Sequence, residues 1–388
     1  MTPSSPSPRS IKQVLTAFFV LFFAGLCYSC MYASIHGVQG DQKVGKAENQ
    51  QLKVDVVDGL AVVRELSGNK ITLWGSVPFF EVKLHHIATQ EKEWQLQINN
   101  AMPKALLYIQ TLDGGEVTAK ELPSKLPTQK IWSFSLKAQQ TVTLSIGPKD
   151  HLETTPFKIV AMSDIQDGIN KVQDLFHAMN QEEGVRVVLS YGDLTNDGGS
   201  KELENVQKKM EVLKVPFFST LGNHELGERP YPWHKYFGRS NFSFSFHDVR
   251  FTLMDSGAAS IDPLAYQWLN SWLEKGKDKV HIVGTHIPPL DPIGVRSGSF
   301  ANRNEALKFL KLLAQSKVDL TIYGHVHSYY KFENAGIPAY ISGGGGAFAE
   351  KFDEVGRHYL LIEIDPKNQT KKVTLRQIED DQGNPIKR

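Results

Sequence analysis

Seven side chains in the second half of the chain have the types and spacing of metal ligands. They are Asp164 and Gln166 in SDIQDG, Asp193 in GDLTND, Asn223 in GNHE, His286 in THIPP, and His325 and His327 in GHVH. Each cluster comes directly after a short apolar run: FKIVAM, VRVVLSY, VPFFSTL, KVHIVG or VDLTIY. In open α/β sheets, ligands collect just beyond the carboxyl ends of the strands. Five such runs should therefore deliver five polar clusters to one crevice. Carboxylate, carboxamide and imidazole donors suit Mn, Fe, Zn or Mg. Both cysteines, Cys27 and Cys30, lie in one N-terminal stretch, which excludes a thiolate site downstream.

Seven ligands are too many for one catalytic ion but fit two ions ~3.5–4 Å apart that share a carboxylate. Two divalent ions carry four positive charges; Asp164, Asp193 and a bridging hydroxide would remove three. About one positive charge would then face an incoming anionic phosphate. Such a pair polarises phosphoryl oxygens and lowers the pKa of bound water enough to make a nucleophile near neutral pH.

The elements that must hold these groups are readable too. Between the apolar runs, INKVQDLFHAMNQEE places Ile169, Val172, Leu175, Phe176 and Met179 at helical spacing. LENVQKKMEVLK and NEALKFLKLLAQ repeat the pattern, with Asn302 and Glu305 at the start of the latter fitting a helix N-terminus. Strand–helix alternation predicts an α/β domain with some parallel pairing, closed by YISGGGG, YLLIEIDP and KKVTLRQI.

Taken in order, GD, GNHE, TH and GHVH resemble the calcineurin-like metallophosphoesterase superfamily over roughly residues 157–365. The resemblance implies roles. Asp164 and His327 would hold a first metal, Asp193 would bridge, and Asn223, His286 and His325 would complete the second site. His224 resembles the family's non-ligand histidine, which meets the phosphate and protonates the leaving oxygen. The family usually begins D-x-H, whereas Gln166 occupies the histidine position here. Its amide oxygen is a harder donor than imidazole and tilts the first site toward Mn or Fe; Asp167 is the alternative ligand. A β-rich stretch ahead of this domain, together with GHVHSY, resembles purple acid phosphatases. Their tyrosine, three residues after the second-motif aspartate, is replaced by Asn196, so a ferric–tyrosinate centre is not expected. Arg296 and Arg303, in and after a long loop following His286, are the basic groups that could reach substrate. Gly343 to Gly346 could line the cleft or form a tight turn.

Upstream, residues 51–150 show short alternating segments separated by SGNK, DGGE and PSKLPTQ, which predict an antiparallel β-sandwich. His85 and His86 alternate on one of its strands and read as structural. Residues 36–50 (HGVQGDQKVGKAENQ) read as a polar linker. Arg9 and Lys12 precede an apolar run from Val14 to Leu26, so residues 1–35 read as a signal peptide or an N-terminal membrane anchor, with an exported body.

The whole is thus expected to be an α/β (α+β) metallophosphoesterase sandwich at 155–366, preceded by an all-β sandwich and followed by a C-terminal strand and tail at 367–388. With 43 Lys and Arg against 42 Asp and Glu, nothing in the charge favours nucleic acid as a partner. The expected substrate is a phosphomonoester or nucleotide, hydrolysed outside the cytoplasm by attack of the bridging hydroxide. The alternatives are a phosphodiesterase or pyrophosphohydrolase with the same metal core, or a non-catalytic envelope module with a degenerate first site.

Overall fold

A computed structural model describes residues 37–112, 114–229, 231–294, 298–380 and 382–386. The signal-peptide or anchor segment and Arg296 lie outside the described residues. Among the described residues, no helix is long and apolar enough to cross a membrane.

The N-terminal all-β region contains β1 (Lys46–Glu48), β2 (Leu52–Val56), β3 (Ala61–Ser67), β4 (Lys70–Gly75), β5 (Phe80–His86), β6 (Lys92–Asn99), β7 (Ala105–Thr111), β8 (Lys120–Leu122), β9 (Gln129–Leu136) and β10 (Thr141–Pro148). They form two five-stranded sheets, ordered β1-β2-β5-β10-β7 and β3-β4-β6-β9-β8. Pairing is antiparallel except between β4 and β6. Alternation sets the core: Val54 and Val56, Val82 and Leu84, Ile71 and Leu73, and Leu96 and Ile98 are all buried.

Two further sheets follow. The first contains β11 (Phe157–Met162), β12 (Val185–Tyr191) and β13 (Phe217–Thr220), joined later by β20 (His358–Asp365) and β21 (Thr370–Gln377), in the order β13-β12-β11-β20-β21. The second contains β14 (Phe242–Phe246), β15 (Val249–Met254), β16 (His281–Thr285), β17 (Leu320–Tyr323), β18 (Tyr329–Asn334) and β19 (Ile337–Ser342), in the order β14-β15-β16-β17-β19-β18. The strands that carry the polar clusters pair in parallel within each sheet: β11 with β12, β12 with β13, and β16 with β17.

Strand periodicity builds the layers. On β11, Ile159 and Ala161 point into the core shared with Phe251, Ile282 and Ile322 of the other sheet. Val160 and Met162 point the opposite way, against the helices Gln173–Met179 and Ser200–Lys209. Met254 and Val283 pack beneath Pro263–Lys275 and Arg303–Gln315. The arrangement is a mixed two-sheet sandwich with helices on both outer faces. Asn302 caps the last of these helices, accepting from the backbone of Asn304 and Glu305 as its position before an amphipathic run predicts.

The segment read as a polar linker is docked instead. Val38, Asp41 and Val44 are buried, and Lys46–Glu48 already belongs to a sheet. Asp41 accepts hydrogen bonds from the backbone of Ser240 (2.6 Å) and Asn241 (3.0 Å) and from the Asn241 amide (2.9 Å), and it pairs with His234 at 3.1 Å. A carboxylate with that many donors gains enough to leave water, although the polar composition around it resembles a tether.

Candidate metal centre

Each predicted ligand sits one to four residues beyond the end of its strand. Asp164 and Gln166 follow β11, Asp193 follows β12, and Asn223 follows β13, all from the first sheet. His286 follows β16, while His325 and His327 follow β17, both in the second sheet. The oxygen donors therefore all come from one sheet and the imidazoles from the other.

They meet in two groups that share one carboxylate. Ligand atoms of Asp164, Asp193 and His327 lie within 4.8 Å of one another, and so do those of Asp193, His286 and His325. Asp193 Oδ2 is 3.2 Å from His286 Nε2, and Asp164 Oδ1 is 3.4 Å from His327 Nε2. Gln166 and Asn223 reach the same spots. Gln166 Nε2 donates to Asp193 Oδ2 at 2.7 Å and lies 3.4 Å from His327 Nε2. Half a turn of that amide would put its oxygen there instead. Asn223 Oδ1 is 3.0 Å from His286 Nε2.

The imidazoles are oriented from behind. The Nδ1–H of His286 donates to the Tyr191 carbonyl (2.8 Å), that of His327 to the Phe348 carbonyl (2.7 Å), and that of His224 to the Asn196 carbonyl (2.6 Å). Anchoring Nδ1 on a carbonyl turns Nε2 toward the shared carboxylates. His224 Nε2 stands 3.9 Å from Asp193 Oδ2 and keeps 34% of its side chain exposed, whereas His286 is fully buried. That places His224 at the mouth rather than in the floor.

The backbone is bent to achieve this. Asp164, Gln166, Asp193 and His325 adopt φ of +64°, +39°, +54° and +71°. Non-glycine residues in the left-handed region cost roughly 1–3 kcal/mol each and persist only where the surroundings over-determine them. Loop-to-loop hydrogen bonds supply that constraint. Asp164 N donates to Gly192 O (3.1 Å), Ile165 N to Asp193 O (2.8 Å), and Ala347 N to Asp164 O (2.9 Å). Gly222 backs Asp193 so closely that any Cβ there would overlap its Oδ1.

Glu225 is the principal brace. Its buried carboxylate accepts from Asp193 N (2.9 Å), Leu194 N (2.8 Å), Thr195 N (3.0 Å), Thr195 Oγ1 (2.9 Å) and Gly222 N (2.6 Å). It holds the two loops that carry Asp193 and Asn223. Burial and the adjacent charge of Asp193 raise its pKa. Burial would also raise Asp164 and Asp193, but neighbouring His327 and His286 outweigh it and hold both below the usual carboxylate range. In turn the carboxylates overcome the burial of His286 and push its pKa up to about 9. An enclosed set of negative oxygens that recruits protons onto imidazole is chemically ready to exchange them for cations.

The weaker candidates fall away from the centre. Asp167 is exposed, accepts from Asn196 Nδ2 at 3.1 Å, and belongs to neither group. Arg303 is exposed at the first position of its helix. Gly345 donates to Ser163 O at 2.9 Å, so this glycine run packs against the Asp164 strand end. His85 and His86 serve the β-sandwich, bonded to Thr141 Oγ1 (2.7 Å) and Lys137 O (2.8 Å). Ser163 lacked any sequence signal. Its hydroxyl bonds Asp164 Oδ2 and the Ser342 carbonyl, tying the two sheets together at the site.

The family model described as calcineurin-like phosphoesterase matches residues 157–329. A 3′,5′-cyclic-nucleotide phosphodiesterase of Nostoc sp. is 24% identical over 200 residues, covering 46% of this chain and 74% of that protein. An Arcobacter nitrofigilis protein named "Probable glycerophosphodiester phosphodiesterase" is 28% identical over 168 residues, covering 39% of this chain and 60% of its own. Among solved structures, a purple acid phosphatase from yellow lupin (Lupinus luteus) seeds aligns with a TM-score of 0.50 at 14% identity, over 78% of this chain and 70% of that one. That likeness is one of fold, and it extends into the all-β region.

Proposed function

We propose that the chain, whose residues 157–329 match the calcineurin-like phosphoesterase model, is a hydrolase of phosphoric ester bonds that works with two divalent ions and acts on phosphomonoesters or nucleotides outside the cytoplasm. The sharing of Asp193 by two ligand groups carries the dinuclear reading. Asp164, Gln166 and His327 would hold one ion, Asn223, His286 and His325 the other, and Asp193 both. Oxygen donors concentrated at the first position favour Mn or Fe there. When bound, such a pair lowers the pKa of coordinated water and neutralises charge on the phosphoryl oxygens.

The chain's own groups do the rest. Tyr191 and Phe348 fix the imidazoles through their carbonyls, and Glu225 fixes the Asp193 loop. His224, partly exposed beside Asp193, has its Nδ1–H committed to Asn196. Its Nε2 is therefore the atom that would carry the proton to the departing oxygen.

A diester substrate is the second reading, favoured by the names of the Nostoc and Arcobacter proteins. Purified protein assayed on p-nitrophenyl phosphate and on its bis ester, with Mn, Fe, Zn or Mg, separates the two. Faster monoester cleavage supports the first reading and faster diester cleavage the second. No cleavage with any metal would refute both and leave a non-catalytic module. Export rests on Arg9 and Lys12 ahead of the apolar run. Recovery of the native protein in the cytosolic fraction would refute it.

A further inference from the structure

Away from the metal centre, a cleft of about 580 Å³ opens between the second β-sandwich sheet and the helix Ser200–Lys209. Its wall is the outward face of the sheet. Ile71, Leu73, Leu96 and Ile98 turn inward to the core, which leaves Thr72 and Trp74 of β4 and Gln97 and Asn99 of β6 on the opposite face. The register sets Thr72 beside Gln97, Trp74 beside Asn99, and Asn99 opposite Gln129 of β9. Gln207 faces them from the helix, bonded to Arg64 at 2.9 Å. The far end lies by Val215, before β13, whereas Asn223 of the metal centre comes after β13.

We propose that this cleft is a binding site for a neutral saccharide, independent of the phosphoesterase centre. Its volume lies within the range of small-ligand sites, roughly 300–1,000 Å³. The charged lining consists of Arg64 and Lys208 against Glu65, Glu204 and Glu211, two cations to three carboxylates, which gives a phosphate no advantage. Among the uncharged lining, Gln97, Asn99, Gln129 and Gln207 set a row of carboxamides beside the Trp74 indole, with Leu126, Met210, Leu213 and Val215 as apolar neighbours. Carboxamides offer both donors and acceptors, the valences a ring of hydroxyl groups needs, and an indole offers a flat apolar face for the sugar's C–H surface. Gln97 Nε2 and Gln129 Nε2 both donate to Asn99 Oδ1 at 3.0 Å, which orders the row before any ligand arrives. Trp74 is half-buried and held edge-on to Phe237, with centroids 6.0 Å apart. A rigid aromatic face and pre-ordered amides lower the entropic cost of binding.

The test is saturation-transfer NMR on the full chain with maltotetraose, cellotetraose and chitotetraose as probes, each titrated to about 10 mM. At least one should bind, and Trp74→Ala and Asn99→Ala should each weaken it by about ten-fold, the scale of a lost anchoring contact. Hydrolysis of p-nitrophenyl esters should be unchanged in both variants, which also shows that they fold. Because Trp74 packs on Phe237, Gln97→Leu serves as a third variant with less packing at stake. Absence of binding by all three probes, or binding that none of the variants weakens, overturns the proposal. Either result leaves the phosphoesterase reading untouched, since that is measured on a separate substrate.

Discussion

Glu225→Gln isolates the brace from the chemistry, because Glu225 serves Asp193 from behind and the swap keeps its size. The carboxylate receives three hydrogen bonds on Oε1 and two on Oε2. A glutamine can keep only one oxygen. Its better orientation retains the Leu194 and Thr195 bonds and turns an NH2 toward the amides of Asp193 and Gly222. Two buried N–H groups left unsatisfied at ~1–3 kcal/mol each give a cost of roughly 2–6 kcal/mol. Loss of the Asp193–Glu225 repulsion offsets part of that, so the lower half of the range is expected. For a domain of this size, 1 kcal/mol shifts Tm by about 2–4 °C, which predicts a drop of roughly 4–16 °C by calorimetry. The Asp193 loop, no longer pinned at φ +54°, should also hold less metal by elemental analysis. A variant within about 2 °C of the parent, with the parent's metal content, would refute the brace.

Asp193→Asn should abolish hydrolysis and reduce bound metal, since one carboxylate serves both ligand groups; normal turnover with full metal would remove it from that role. His224→Ala should keep its metal and lose roughly 10²–10⁴-fold in kcat, the range for acid–base groups, whereas loss of metal would make it a ligand. Gln166→His should remain active and shift preference toward Zn; inactivity with every metal would show that the site requires the amide. Asp255, whose pKa burial and nearby Asp41 push up to about 7, should make stability depend on pH. An unfolded aspartate titrates near ~3.9, so between that pH and about 7 the folded state holds a proton that the unfolded chain has released. The contribution is full below the lower value and is lost as pH rises through the upper one. Denaturant melts from pH 5 to 8 should show Asp255→Asn flattening this fall, and parallel curves would refute it.

The gathering of the seven polar side chains past the strand ends was legible because each is a residue of particular chemistry after an apolar run. The layered sandwich was legible from the same runs, whose period and intervening helices are set locally. What escaped was whatever acts through the main chain. The carbonyls of Tyr191, Asn196 and Phe348 orient the three imidazoles, and a carbonyl carries no residue-specific signal. The docking of residues 37–48 escaped for a different reason. Asp41 finds its donors at Ser240 and Asn241, some two hundred positions away, and its neighbours in sequence are polar. Glu225 is a further case, since the number of amides it gathers depends on loop geometry rather than on its place in GNHE.

The division of donors between the sheets has a consequence for how the protein matures. Each of the two candidate groups draws oxygens from one sheet and nitrogens from the other, so the chain from Asp164 to His327 must close before either group is complete. Uptake of the ions would then mark the moment at which the two halves lock together.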